Sequence, residues 1–409
     1  KIRTHLMAND VVKLKEGGQL KISTEEVLGT EQLISINYKA LPSDVKVNDR
    51  ILIDDGKIVL KVISSNSQDE ILTEIINGGN LYSKKGVNFP NTDISSPSMT
   101  EKDKKDLEFI LDNDIDWVAL SFVRSAHDII DLKHIISLKN SSAKVIAKIE
   151  KPEAITDIDD IIQHSDGLMV ARGDLGVEIP FQEVPLIQKR LIQKCRQNAK
   201  PVIVATQMME SMIKSSIPTR AEVSDVAQAI YDGVDAVMLS AETAIGNHPE
   251  KVVSTVDKIA IEIERDALYF ESLEASRTTS KQGVSNAITV AAREVAETVK
   301  VKVICCFTHG GTTASLASRE RPRVPIIALT PNIMTARKLT LFWGLHCVIT
   351  TSVDRFKQAV INALKEAKKF EFADGNDLII VIAGVPFNTS GTTNILRVVS
   401  MAENFEDFY

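Results

Sequence analysis

The segment Val145-Ile146-Ala147-Lys148-Ile149-Glu150 is the clearest indicator of how this chain folds, because an apolar run ends in charged residues. Four more apolar runs of similar length occur in the same part of the chain. Continuous apolar runs bounded by polar residues are typical of strands buried on both faces of a parallel sheet. The predicted strands are Trp117 to Val123, Val145 to Ile149, Gly167 to Ala171, Pro201 to Thr206 and Ala236 to Ser240.

Amphipathic helices are predicted between these strands, as from Ala126 to Lys139 and from Phe181 to Asn198. Pro152 and Pro249 lie where a first helical turn would begin, and Thr219 marks a further helix start. Strands that alternate with helices at about 30 residues per unit fit a (β/α)8 barrel. The sequence therefore predicts an α/β fold, a (β/α)8 TIM barrel whose parallel sheet is covered by helices.

The predicted barrel is incomplete, because only five strand–helix units can be counted. An open arc of five strands would leave its interior faces unburied. Either three units precede Lys1 or the sheet is open, and we favour the first alternative. With about two and a half units missing at about 30 residues each, this alternative predicts roughly 60 to 80 residues before Lys1.

The apolar pattern is different from Asp10 to Pro90, where short runs such as Leu20-Lys21-Ile22 and Ile58-Val59-Leu60-Lys61-Val62 alternate with polar residues. Pairs such as Gly17-Gly18 and Gly78-Gly79 separate the runs. Short strands with turns of this kind predict a small β-barrel or sandwich, and no helix of 3.6-residue period fits there.

A second alternation of helices and strands follows Ser280, after a polar segment from Glu271 to Gln282 that we predict to be a linker. The chain thus divides into a β-rich domain over residues 1–91, a barrel part over 92–270 and a C-terminal α/β domain over 283–409. The elements predicted in the last domain are a helix from Val284 to Lys300 and strands at Val303 to Thr308, Ile326 to Leu329, Cys347 to Thr350, Leu378 to Ala383 and Leu396 to Val399.

Composition excludes several classes of function. The 409 residues include 48 basic and 55 acidic side chains, and the formal net charge of −7 with no long basic run argues against nucleic-acid binding. The longest apolar run, Leu378 to Phe387, is half of what a membrane span needs. Four cysteines without a C-x-x-C pair form neither a disulfide framework nor a zinc site. We expect a cytoplasmic protein that binds no nucleic acid and no membrane.

Polar residues end four of the predicted barrel strands. Side chains alternate along a strand, so Lys148 and Glu150 project on the same side. Arg172-Gly173-Asp174 follows the next strand with backbone N–H groups that could hold a phosphate or carboxylate, and Thr206 and Ser240 end two others. Alone, these features are more typical of a surface ion pair, a turn or a helix cap, but together they indicate an active site. The two carboxylates suit Mg²⁺ or Mn²⁺ better than zinc.

These motifs together resemble those of pyruvate kinases, over the whole chain. In that family a small β-domain is inserted after the third barrel strand and an effector domain follows the barrel, so this chain would hold strands 4–8. The matching segments are Lys1-Ile2-Arg3-Thr4, Ile53-Asp54-Asp55-Gly56, Lys84-Lys85-Gly86-Val87-Asn88, Ala147-Lys148-Ile149-Glu150, Met169 to Pro180, Ala205-Thr206-Gln207-Met208, Pro218 to Glu222 and Met238-Leu239-Ser240.

The resemblance implies transfer of a phosphoryl group from phosphoenolpyruvate to ADP, which gives pyruvate and ATP. It implies that Glu150 and Asp174 bind the metal and that Lys148 neutralises the moving phosphoryl group. A fixed lysine and a metal suit this chemistry, because the charge spreads over the phosphoryl oxygens. The other implied roles belong to Ala171, Arg172, Gly173 and Asp174 for the substrate carboxylate, to Thr206 and Ser240 for the proton delivered to carbon, and to Arg3, Asp54 and Lys85 for the nucleotide under a closing β-domain lid.

The resemblance also implies a homotetramer and a phosphorylated effector, and it bears on whether the enzyme needs K⁺. Lys1, where K⁺-dependent members have an acidic residue, implies activity without K⁺. The effector loop would be Thr308-His309-Gly310-Gly311-Thr312-Thr313, with a second loop from Gly384 to Gly391. Since His309 is the one candidate cation in these loops, we expect a monophosphate to activate better than fructose 1,6-bisphosphate. The alternative is a plain strand-to-helix turn with a threonine cap.

Two departures from the family pattern are visible. Residue 241 is alanine where glycine is commoner, and the family's arginine, asparagine, serine and aspartate that precede the end of the third strand have no counterpart here. A catalytically incomplete pyruvate kinase is therefore one alternative. A magnesium-dependent pyruvate aldolase-type barrel, which also uses a glutamate and an aspartate at strand ends, is the other.

Overall fold

Three units follow one another along the chain in the computed structural model, which describes residues 2–90, 92, 94–95, 97–276, 282–387 and 391–403. The first unit is β-rich, the second contains a parallel sheet with helices, and the third contains a second mostly parallel sheet. Within the described residues, no helix is long and apolar enough to cross a membrane.

The β-rich unit contains a six-stranded sheet in the order β3-β2-β6-β5-β4-β8 and a two-stranded sheet of β1 and β7. Alternate residues are buried in β1, β2 and β6, as Leu20 and Ile22 are in β2, which confirms the predicted alternation there. Consecutive residues are buried in β4 and at the start of β5. The elements are β1 (Val11–Leu14), β2 (Gln19–Ser23), β3 (Leu33–Ser35), one helical turn α1 (Leu41–Asp44), β4 (Arg50–Ile53), β5 (Ile58–Ser65), β6 (Glu70–Asn77), β7 (Gly79–Tyr82) and β8 (Val87–Asn88).

The second unit forms a parallel sheet whose strand order, β9-β10-β11-β12-β13, is also the order of the sequence. Its strands are bridged by helices, as expected for consecutive βα units of a barrel. The elements are α2 (Glu101–Leu111), β9 (Trp117–Leu120), α3 (Ala126–Leu138), β10 (Lys144–Ile149), α4 (Pro152–Thr156), α5 (Ile158–His164), β11 (Gly167–Ala171), α6 (Arg172–Glu178), α7 (Val184–Gln197), β12 (Val202–Ala205), α8 (Arg220–Tyr231), β13 (Ala236–Met238), α9 (Ala241–Ala244), α10 (Pro249–Arg265) and α11 (Ala267–Ala275).

Local signals in the sequence fix several of these boundaries. Pro152 and Pro249 occupy the first turns of α4 and α10, and Thr219 forms a capping box with Glu222 at the start of α8. The predicted linker is wrong in its first half, because residues from Glu271 to Ala275 continue α11. Leu273 of that helix is buried in the barrel core, and this packing overrides the polar composition. Residues 277–281 lie outside the described part.

The C-terminal unit contains a sheet in the order β16-β15-β14-β17-β18, with β18 antiparallel to β17. It confirms the predicted helix and strands with small shifts at their ends. The elements are α12 (Val284–Thr298), β14 (Val303–Phe307), α13 (Thr312–Arg319), β15 (Ile326–Thr330), α14 (Ile333–Leu339), β16 (Leu345–Ile349), α15 (Phe356–Lys369), β17 (Leu378–Gly384) and β18 (Thr393–Ser400).

A buried ion pair joins the barrel unit to the C-terminal unit. Asp235 Oδ1 accepts hydrogen bonds from Arg321 Nη2 at 3.0 Å and from the Trp343 N–H at 3.1 Å. Its other oxygen, Oδ2, accepts from the N–H of Val202 at 3.0 Å. Arg321, which is 2% exposed, also donates to the carbonyl of Gly233. The Asp235 carboxylate therefore connects the N-terminal ends of β12 and β13 to the C-terminal unit.

Replacing Asp235 with alanine should destabilise the protein by about 3–5 kcal/mol, because it leaves the buried Arg321 charge uncompensated. Urea unfolding followed by tryptophan fluorescence measures the loss. The double variant Asp235→Ala/Arg321→Met should be more stable than Asp235→Ala alone. Equal stability of the single and double variants would contradict a penalty that arises from the unpaired charge.

Candidate active site

The end of β10 carries a buried lysine–glutamate pair. Lys148 Nζ lies 2.7 Å from Glu150 Oε1 and donates a hydrogen bond to Ser121 Oγ at 2.8 Å. Glu150 is completely buried, and its Oε2 accepts a hydrogen bond from the Phe122 N–H at 2.7 Å. The prediction that the two charged side chains project together from one strand end agrees with this arrangement.

Ser121 and Phe122 are parts of the site that the sequence did not reveal. Both belong to a segment predicted as strand to Val123, but β9 ends at Leu120. Phe122 has φ 55°, in the left-handed region, and this turn ends the strand and directs its N–H to Glu150. Since a backbone N–H is the donor, residue type gave no signal for it.

Asp174 lies in the first turn of α6 and lines the same cleft as Lys148 and Glu150. The cleft has a volume of about 570 Å³, and its wall also includes Asn88 of the β-rich unit. In the described chain Glu150 Oε1 has no hydrogen-bond partner beyond its 2.7 Å ion pair with Lys148 Nζ, so the oxygen keeps a lone pair for a further ligand. Two carboxylates in one cleft fit a hard divalent cation such as Mg²⁺, which is commonly bound through one or two carboxylates and completes its coordination with oxygens of substrate and water.

The segment after β11 is a helix, α6, and not the turn that was the alternative interpretation of Arg172-Gly173-Asp174. The Gly173 N–H, one of the donors predicted for a substrate carboxylate, donates to Thr206 Oγ1 at 2.8 Å. Arg172 donates to Asp225 Oδ1 at 2.6 Å and to the Thr206 carbonyl at 2.7 Å. Its guanidinium therefore joins the ends of β11 and β12 to helix α8 (Arg220–Tyr231), while Ala171 is the buried last residue of β11.

Thr206 follows β12 with φ 72°, which is unusual for a β-branched residue. Its hydroxyl accepts from Gly173 and donates to the carbonyl of Ala205 at 2.6 Å. Ser240, at the end of β13, is exposed and is not among the described residues that line the cleft. The structure therefore brings Thr206 to the α6 N-terminus and leaves Ser240 at the rim.

Glu242 is a further buried residue to which the sequence assigned no role. Its carboxylate accepts hydrogen bonds from the N–H groups of Ser240 and Met209, at 2.7 and 3.2 Å. It thereby connects the segments that follow β13 and β12. The signal available in the sequence was an acidic residue directly after a strand end.

The residues predicted to bind the nucleotide meet in the β-rich unit. Asp54 pairs with Lys85 at 3.0 Å and with Lys57 at 3.1 Å, and Arg3 donates to the carbonyl of Lys84 at 2.9 Å. Burial by itself raises the pKa of the Asp54 carboxyl, but hydrogen bonds from Lys85 and Lys57 outweigh it and hold the pKa below its ordinary value. The cluster therefore keeps its charges, and Lys57 is a member that the sequence did not suggest.

The predicted effector loop lines a separate pocket in the C-terminal unit. Thr308 and His309 precede Gly310 and Gly311, and helix α13 begins at Thr312 with no side chain as its cap. Thr313 is already paired with Thr393, at 2.6 Å between hydroxyl oxygens. The segment after β16 contributes three more hydroxyl groups that the sequence did not assign, those of Thr350, Thr351 and Ser352. Asn388 to Ser390 of the second loop lie outside the described residues.

The fold and the site define a barrel enzyme that places acidic and basic side chains at the carboxyl ends of its strands. The family model described as the pyruvate kinase barrel domain matches residues 1–253, and the one described as the pyruvate kinase alpha/beta domain matches residues 286–399. The chain belongs to the pyruvate kinase family.

Individual relatives agree with this assignment. A pyruvate kinase of Methylorubrum extorquens is 42% identical over 97% of this chain and 82% of its own length. A pyruvate kinase of Geobacillus stearothermophilus is 43% identical over 97% of this chain and 68% of its own length. A crystal structure of a pyruvate kinase from Cryptosporidium parvum superposes with a TM-score of 0.91 at 36% identity, covering 98% of this chain and 82% of that one.

The prediction of a pyruvate kinase is confirmed, and the comparisons support it over an aldolase-type barrel and over a catalytically incomplete relative. The enzyme is a phosphotransferase that transfers the phosphoryl group of phosphoenolpyruvate to ADP. The predicted fold class, a TIM barrel with a β-rich insert and a C-terminal α/β domain, is confirmed as well. The numbering of the strands as 4–8 and the domain limits stay predictions.

Replacing Thr206 with valine should destabilise the protein by about 1–3 kcal/mol, because the part-buried Gly173 N–H loses its acceptor. Thr206→Ser keeps the hydroxyl and is the matched control. Thermal unfolding of the three proteins measures the difference. A valine variant as stable as the serine variant would show that this hydrogen bond does not hold α6 against β12.

Proposed function

We propose that phosphoryl transfer takes place in the cleft at the end of β10, with Lys148, Glu150 and Asp174 as its central residues. The buried Lys148–Glu150 contact carries this proposal, because it places an ammonium beside a fully buried carboxylate whose Oε1 keeps a lone pair for a metal ion. Glu150 and Asp174 would hold Mg²⁺ or Mn²⁺. When bound, this cation supplies positive charge to the oxygens of both substrates.

Lys148 has the role of stabilising the phosphoryl group as it moves. The bond between the phosphorus and the enol oxygen breaks, and a bond to a terminal phosphate oxygen of ADP forms. Charge spreads over the three remaining phosphoryl oxygens, where a fixed ammonium is most effective in a site withdrawn from water. Ser121 and Glu150 hold the Lys148 ammonium in place for this task.

The substrate carboxylate and the proton involve the ends of β11 and β12. The N-terminus of α6, between Ala171 and Asp174, favours an anion, although the N–H of Gly173 already donates to Thr206 Oγ1. The enolate left after phosphoryl transfer takes up one proton at its methylene carbon and becomes pyruvate. Thr206 would position the water that delivers this proton, with Ser240 behind it at the rim.

The β-rich unit acts as a lid that binds the phosphates of ADP through Arg3 and Lys85, while Asp54 holds the Lys85 ammonium in place. Support for a lid position comes from Asn88 of the same unit, which lines the cleft that holds Lys148 and Glu150. Lys57, whose pKa is raised by its hydrogen bond to Asp54, adds a further cation to the phosphate-binding residues.

The C-terminal pocket binds a phosphorylated effector through hydroxyl groups and the uncapped N-terminus of α13. A homotetramer and a cytoplasmic location complete the proposal by analogy with the family. The expectation that K⁺ is dispensable stays a prediction, because Lys1 lies outside the described residues.

Replacing Lys148 with methionine should reduce ATP formation from phosphoenolpyruvate and ADP by at least about 10³-fold, as expected for loss of a transition-state charge partner. Exchange of the methyl protons of pyruvate, which needs no phosphoryl transfer, should persist. Glu150→Ala and Asp174→Ala should abolish both reactions and leave the circular dichroism spectrum unchanged. Near-normal ATP synthesis by Lys148→Met would disprove the role of the lysine.

A sugar monophosphate or AMP should activate the enzyme at lower concentration than fructose 1,6-bisphosphate, because His309 is the one cationic side chain among the described lining residues. Saturation curves for phosphoenolpyruvate with each effector decide the order. Thr312→Ala should weaken activation, whereas Ser315→Ala, which alters an exposed hydroxyl of the same helix, is the control. Stronger activation by the bisphosphate would contradict the proposal.

A further inference from the structure

Glu178 is a buried carboxylate at the end of α6 that none of the proposed steps uses. Its side chain is 1% exposed. A single oxygen, Oε1, accepts hydrogen bonds from Asn88 Nδ2 and Lys151 Nζ, both at 2.8 Å. We call these three residues the Glu178 node. The node joins the β-rich unit to two different segments of the barrel.

Two residues of the Glu178 node, Lys151 and Glu178 itself, are close in sequence to the carboxylates proposed to bind the metal. Lys151 follows Glu150 directly, and Asp174 is four residues before Glu178 on α6, which places both carboxylates on one face of the helix. One carboxylate is thus tied to both elements that would hold the divalent cation.

The third partner ties the same carboxylate to the lid. Asn88 lies on β8, where it is paired with Leu52 of β4, and that strand leads directly to Asp54. Asn88 is itself buried, at 4% exposed, and lines the cleft. The hydrogen bond from Asn88 to Glu178 therefore fixes β8, which we call the root of the lid, against α6, the helix that carries Asp174.

The energetics of the node point to a role beyond packing. Lys151 is only 12% exposed, so the ion pair is withdrawn from water and its desolvation is costly. Glu178 Oε2 is buried with no hydrogen-bond partner in the described part of the chain, although the residue lines the cleft. A buried acceptor beside a metal site is suited to a hydrogen bond from a metal-bound water, and such outer partners orient the ligands.

We propose that Glu178 is a positioning residue that holds the root of the lid and both metal-binding elements in one arrangement. The inference builds on the metal and lid roles proposed above. It assigns Glu178 no contact with the reacting atoms. Its effects should appear in the affinity for the cation and in the binding of ADP.

The test measures Mn²⁺ binding by electron paramagnetic resonance, without substrates, in the full chain. Glu178→Gln should bind Mn²⁺ about 10- to 100-fold more weakly than the wild type, the usual loss for an outer-shell partner. Asp232→Asn is the matched control, because it neutralises a carboxylate that is 3% exposed and bonded to Gln228, outside the cleft lining. Its Mn²⁺ affinity should equal that of the wild type.

Asn88→Ala tests whether the contact between the lid and Glu178 affects ADP binding. It also provides a test of the proposal if Glu178→Gln fails to fold. It should leave Mn²⁺ binding unchanged, raise the KM for ADP severalfold and leave the KM for phosphoenolpyruvate near the wild-type value. An unchanged KM for ADP in Asn88→Ala, or wild-type Mn²⁺ affinity in a folded Glu178→Gln, would overturn the role of Glu178. Either result would leave the proposed metal site in place. A wild-type chain that binds no Mn²⁺ would overturn the proposed metal site together with the role of Glu178.

Discussion

The contact between Lys148 and Glu150 at the end of β10 is the interaction on which the site depends. A carboxylate with no solvent exposure costs several kcal/mol in desolvation unless its charge is matched and its oxygens accept hydrogen bonds. Lys148 supplies the charge, and the N–H of Phe122 supplies a hydrogen bond. Oε1 of Glu150 has no partner besides Lys148 in the described chain, and its remaining lone pair suits the divalent cation proposed for the cleft.

The parallel register of the sheet explains why this pair meets the other site residues. Lys148 lies opposite Met169 of β11, and Ala171 lies opposite Ala205 of β12, so consecutive strands end at one edge. Of the residues at these strand ends, Lys148, Glu150 and Asp174 line one cleft. Two buried carboxylates, Glu178 and Asp235, attach the other units to this scaffold at its opposite ends.

The sequence predicted the repeating parts of the fold well, because apolar periodicity reports burial directly. Strand β11 has the predicted limits, and Pro152 and Thr219 start helices as expected. The failures occur where tertiary contacts decide. Phe122 leaves the predicted strand to donate its N–H to Glu150, and the predicted linker from Glu271 continues helix α11 to Ala275.

The same distinction applies to the candidate site. Lys148, Glu150 and Asp174 could be found because charged residues at strand ends are unusual and their spacing is regular. Ser121 and the hydroxyl-rich segment near Thr351 could not, since serine and threonine occur in turns of every kind. Their roles follow from distances that only the folded chain defines.

A crystal grown with Mn²⁺ and a carboxylate analogue of the substrate would test the central claim most directly. The account predicts a single strong anomalous peak between the carboxylates of Glu150 and Asp174, in contact with an oxygen of each. The Lys148 ammonium should remain beside the bound substrate analogue. A manganese peak elsewhere, with both carboxylates free of metal, would contradict the account.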